Sequence, residues 1–201
     1  MNMNTSMRAL AGAIMNLAIV AALALGMTGA ARALAVEYRT VDMGRSSIGF
    51  VFREMGVAID GHFSRYAVQI RFDPARPASA QAAIDLDLGS IDAGSDEAND
   101  EVGGKSWFNT RTFPQAHFES SSVHTLGANR YELTGTLTIK GRTHEVVVPF
   151  TLTPQGAAAA FDGKFILKRA DFGIGEGEWA AFDTVANEIE VKFHILAAAG
   201  K

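Results

Sequence analysis

Apolar side chains recur at every second residue in segment after segment from Tyr38 onward, and a period of two sustained over this length is the signature of antiparallel strands with one buried face. Ile48, Phe50 and Phe52 alternate with Ser47, Gly49 and Val51, and the pattern resumes over 57–63 after a turn near Met55-Gly56. Val68, Ile70 and Phe72 follow, until Pro74-Ala75-Arg76-Pro77 stops that strand. Ile84, Leu86 and Leu88 come next, then Ala116, Phe118, Ser120 and Ser122. Tyr131, Leu133, Gly135, Leu137 and Ile139 run into a tight hairpin at Lys140-Gly141-Arg142, where Gly141 supplies a positive φ. Val146, Val148, Phe150 and Leu152 form the returning strand. Pro149 cannot donate a ladder bond there, which places it at an edge or a bulge. Phe161, Gly163, Phe165 and Leu167 give one more strand, and Ile189, Val191, Phe193 and Ile195 the last.

Only Asp92 to Thr110 breaks the period. Ser95 or Asp96 caps a short helix there, with acidic residues over its N-terminal dipole, and Gly103-Gly104 stops it. About nine strands, one helix and no βαβ alternation make the chain all-β. The strand spacing alone is compatible with either a sandwich or a closed barrel.

The segment before these strands has a different character. Arg8 precedes an apolar run over 9–26, and the small-residue stretch that follows ends in Ala33-Leu34-Ala35. A basic start, an apolar core and an A-x-A site are the three parts of an export signal, so residues 1–35 are expected to be a signal peptide cleaved after Ala35, and 36–201 the mature, periplasmic domain. That domain sets sixteen basic residues against 22 acidic ones, which does not suit nucleic-acid phosphates. The absence of cysteine excludes disulfides, thiolate catalysis and zinc ribbons.

No catalytic constellation stands out. The five histidines have no metal-ligand spacing, and His117 and His194 fall on the polar phase of their strands. Asp96, Glu97, Asp100 and Glu101 lack the ligand order of a calcium loop and read as a solvated helix face. Asp171-Phe172-Gly173 and the glycines that follow match kinase and phosphate-loop fragments without their context. No serine sits in a nucleophile elbow. No catalytic residue, metal site or cofactor is therefore nominated. The excess of large apolar side chains on one strand phase points either to a solid core or to a hollow barrel that holds a lipophilic ligand.

Several short motifs in a fixed order decide between these. They are Ile48-Gly49-Phe50-Val51-Phe52, Gly61-His62-Phe63, Ile91-Asp92-Ala93-Gly94, Trp107-Phe108-Asn109, Phe113-Pro114-Gln115-Ala116-His117-Phe118, Leu133 through Gly141, and Lys168 through Gly175. Together they resemble the YceI family of exported, lipocalin-like proteins over about Glu37 to Leu196. The resemblance implies an extended eight-stranded antiparallel barrel with one short helix near its open end. It also implies a long isoprenoid lipid, a polyprenol or an isoprenoid quinone, held in the interior.

On that reading the lining is Phe50, Phe52, Phe63, Ile70, Phe72, Leu86, Trp107, Phe108, Phe118, Leu137, Val148, Phe150, Phe165 and Phe193. Trp107-Phe108 forms either a lid or an anchor for the helix, and Trp179 and Phe182 line or cap an end. Some family domains are joined to b-type di-haem cytochromes. The alternative is therefore an enzyme or accessory factor acting on isoprenoid quinone with a membrane b-type cytochrome, for which His62, Glu54 and Asp92 are the candidate polar residues.

Overall fold

The computed structural model describes residues 36–200, so the signal-peptide expectation lies outside the described residues. The described chain forms β1 (Tyr38–Val41), β2 (Ser47–Glu54), β3 (Val57–Phe63), β4 (Tyr66–Arg71), β5 (Gln81–Asp87), β6 (Ile91–Asp92), helix α1 (Asp96–Gly103), β7 (Gln115–Gly127), β8 (Arg130–Ile139), β9 (Arg142–Gln155), β10 (Ala158–Lys168) and β11 (Glu188–Ala199). All eleven strands join one curled antiparallel sheet in the order β4-β5-β7-β8-β9-β10-β11-β2-β3-β6, with β1 alongside β11. The fold is all-β and lipocalin-like. The strand count exceeds the expected eight: nine strands of six or more residues form the wall, and the short β1 and β6 add to it.

Closure depends on β1. Tyr38 pairs with Ala199 of β11 on one side. On the other side it exchanges backbone hydrogen bonds with Phe72, its N–H donating to Phe72 O at 2.8 Å and the Phe72 N–H to Tyr38 O at 3.0 Å. Local chemistry sets the corners. Met55 and Gly56 take φ of 49° and 83°, and Lys140 and Gly141 take 51° and 74°, the two-residue hairpin geometry that matches strand twist. Ser95 Oγ accepts from the Ala98 N–H at 3.2 Å and starts α1.

Two sequence expectations are corrected. The strand carrying Ile84 and Leu86 ends at Asp87, because the Asp87 carboxylate accepts from the Gly89 N–H and turns the chain into a 3-10 turn that contains Leu88. Pro149 lies in neither an edge strand nor a bulge: β9 runs between β8 and β10. The β9–β10 ladder nevertheless extends only from Gln155↔Ala158 to Phe150↔Gly163, so Pro149 is the first residue beyond its end. From Pro149 back to Arg142, β9 pairs with β8 alone. The segment 169–187 bridges this divergence. Lys140 Nζ donates to Gly173 O at 2.6 Å, and His144 Nε2 donates to Asp171 O at 3.0 Å.

Candidate functional site: an apolar cavity with a built cap

The inward phase of the strands encloses a cavity of ≈ 240 Å³, many times the roughly 10–15 Å³ that one water requires. The structure brings all fourteen nominated side chains to its wall. Phe50 and Phe52 come from β2, Phe63 from β3, Ile70 from β4 with Phe72 just beyond, and Leu86 from β5. Phe118, Leu137, Val148, Phe150, Phe165 and Phe193 come from β7 to β11, and Trp107 and Phe108 from the segment after α1. Among the lining residues only Gln81 and Arg169 carry amide or charged side chains. Walls of this kind offer water almost no hydrogen-bond partners, and an apolar molecule gains free energy on entering from water.

The aromatic rings do not fill the interior, because several lie along the wall over glycines of the adjoining strand. Phe50 is the cross-strand partner of Gly61, and Phe193 that of Gly163. A Cβ at either glycine would collide with Cζ of the facing ring, and a Cβ at Gly135 would meet Phe118 in the same way. Each ring thus occupies the volume of an absent side chain. This is the close approach for which a strand interior tolerates glycine.

The two ends differ. One is floored by packed aromatics, where the Phe72 ring stands edge-on to Tyr131, Phe150 and Phe161 at centroid distances of 5.1, 5.9 and 5.3 Å. The other carries α1, Trp107 and the segment 169–187. The latter is wrapped around Arg169, which is 1% exposed and pairs with no carboxylate among the described residues. Its Nη1 donates to Ile174 O and Gly175 O, both at 2.9 Å. Its Nη2 donates to Trp179 O at 2.7 Å, Val185 O at 2.9 Å and Ala181 O at 3.2 Å, and its Nε to Ala186 O at 3.2 Å.

All donor nitrogens of the guanidinium are engaged by backbone carbonyls, so the cation serves as the polar hub around which the loop is wrapped. Burial pushes its pKa below the ordinary arginine value, and the charge is held by carbonyl dipoles and by the faces of Trp107 and Phe182 at 5.4 and 5.1 Å. Glu176 ties the cap to the β8–β9 hairpin, accepting from Lys140 Nζ at 3.2 Å and from Arg142 Nη2 at 2.9 Å. The hydrogen bond and charge of Lys140, followed by those of Arg142, hold its carboxyl below the usual range.

The residues nominated for an enzymatic reading are not at the cavity. His62 and Asp92 do meet, at 3.7 Å, but as outward side chains 58% and 52% exposed. His62 belongs to a surface groove with Asp60, Lys192 and His194. Glu54 ends β2, where it bridges to Val185, and it does not line the cavity. His117 and His194 also face outward, bonded to Asp85 and Asp162 at 2.7 and 2.6 Å. Trp107 and Phe108 line the cavity. Trp179 instead packs against Trp107 at 5.5 Å, and Phe182 covers Arg169 while half exposed. Sequence reasoning missed Arg169, although a signal existed: it continues the apolar phase Phe161, Gly163, Phe165, Leu167, and a charge on the buried phase needs partners.

A family model described as a YceI-like domain matches residues 40–197. A UPF0312 protein of Azotobacter vinelandii is 30% identical over 165 residues, covering 77% of this chain and 86% of the relative. A UPF0312 protein of Yersinia pestis is 32% identical over 156 residues, covering 74% and 81%. The crystal structure of BcnA from Burkholderia cenocepacia superimposes with a TM-score of 0.77 at 42% identity, over 79% of this chain and 99% of that one. A polyisoprenoid binding domain from Saccharophagus degradans shares the fold at a TM-score of 0.63 and 16% identity, over 82% of this chain and 99% of the other. With the family model spanning nearly all of the described sheet, this chain belongs to the YceI-like domain family.

Proposed function

We propose that this protein is a periplasmic binding protein that carries or sequesters a long-chain isoprenoid lipid, a polyprenol or an isoprenoid quinone, inside its barrel. The observation that carries the reading is the cavity itself, walled by strand after strand with apolar side chains and floored by aromatics. An isoprenoid tail has almost no hydrogen-bonding groups along its length, so such a wall satisfies it completely. Each Å² of tail taken out of water contributes about 25 cal/mol before the costs of association. A binding role, without catalysis, fits a cavity whose one charged lining residue spends its donors on the protein's own backbone. The name of the Saccharophagus degradans domain supports an isoprenoid ligand.

The test is organic extraction of protein purified from its native host, followed by mass spectrometry of the extract. An isoprenoid lipid in near-stoichiometric amount is expected, and consistently empty protein overturns the proposal. The periplasmic part is tested separately by N-terminal sequencing of the exported protein, which should begin at Val36.

A further inference from the structure

At the capped end of the cavity two hydrogen-bond donors have no acceptor among the described residues. Trp107 lines the cavity and is 7% exposed, yet its Nε1 is buried without a partner, and so is Nε1 of Trp179. The two indoles lie 5.5 Å apart, and the Arg169 guanidinium stands over Trp107. Buried donors in native proteins are nearly always satisfied, and an orphan at the wall of a binding cavity calls for an acceptor brought by a ligand. This corner holds a cation, its donors used up on carbonyls, and two indole N–H groups, which only donate.

We propose that the capped end is a head-group site, in which the indole N–H of Trp107, its ring backed by that of Trp179, donates to an oxygen of the lipid that carries no proton of its own, such as a carbonyl. The ligand then lies head to the cap, with its tail running toward the Phe72 floor. A hydroxyl head is the poorer fit, because its proton must share a carbonyl that already accepts from the Arg169 cation, using the second lone pair of that oxygen. The inference rests on the lipid-binding reading above and adds the orientation and head-group class.

The sequence has only two tryptophans, so a ¹⁵N-labelled sample shows two indole N–H signals, and Trp107→Phe assigns them. Lipid-stripped protein is titrated with three isoprenoid probes: geranylgeranylacetone, a ketone; geranylgeraniol, an alcohol; and squalene, a hydrocarbon. The ketone is expected to move the Trp107 indole proton downfield and squalene is not. Trp107→Phe, which keeps a ring in place, is expected to weaken the ketone roughly threefold to tenfold while leaving squalene unchanged.

If squalene and the ketone both bind but Trp107→Phe weakens them equally, or the indole signals do not move, the head-group site is wrong and the lipid cavity stands. If the alcohol proves as sensitive to Trp107→Phe as the ketone, the acceptor-only class is wrong. If none of the probes binds the unaltered protein, the lipid-binding reading fails and the head-group site with it.

Discussion

Phe50 and Gly61 face each other across β2 and β3, and the Phe50 ring lies in the space that a Cβ at Gly61 would need. The hollow therefore depends on a glycine as much as on the aromatics around it. A side chain at residue 61 either lifts the ring toward the barrel axis or pushes the strands apart. Since Asp92 O also crowds the site, relief by backbone movement is limited. Gly61→Ala is expected to destabilise by about 1–3 kcal/mol, the usual cost of overpacking, and to reduce lipid loading. Denaturant melts combined with Phe50→Ala test the origin of that cost. A double-mutant cycle should show coupling between the two positions, and strict additivity would mean that the ring is not the obstacle.

Arg169 should behave as a loop core and not as an exposed charge. Arg169→Met leaves six backbone carbonyls without this donor, and a buried acceptor left unsatisfied costs about 1–3 kcal/mol. Much of that loss should appear locally, as faster amide exchange over 170–187. Arg169→Lys is expected to rescue little, because an ammonium has three donors and no planar fork.

The Glu176 latch introduces a pH dependence of definite sign. Its folded-state pKa lies below the ordinary value of 4.5, so its contribution is fully present above that value and is lost as pH falls through the folded-state pKa. Amide exchange of the cap, corrected for the intrinsic pH effect, should therefore accelerate below about pH 4.5. Glu176→Gln should remove that acceleration. An unchanged acid profile in the variant would assign the effect to other carboxylates.

Phe165 offers a direct probe of the wall, since it lines the cavity near the place where β9 and β10 diverge. Phe165→Glu puts a carboxylate into an apolar space and should abolish recovery of bound lipid in extraction and mass spectrometry. Far-ultraviolet circular dichroism on the same sample separates loss of ligand from loss of fold. Undiminished lipid in a folded variant would contradict the proposed lining.

The linear chain by itself determined which side chains face inward, because a strand period of two allows only two phases and Phe50, Leu137 or Phe193 fall on the apolar one. It also determined the corners at Met55-Gly56 and Lys140-Gly141 and a helix start at Ser95 or Asp96, of which the structure uses Ser95, because a few neighbouring residues supply the chemistry there. Curvature and register were left to the tertiary structure, since alternation suits a flat sandwich as well as a rolled sheet. Only register sets Phe50 over Gly61 and Phe193 over Gly163, and so holds the interior open. Arg169 was beyond a local reading for the same reason: its partners are backbone carbonyls, which every residue has. Only the path of 169–187 through space brings six of them to one guanidinium and leaves Trp107 Nε1 with none.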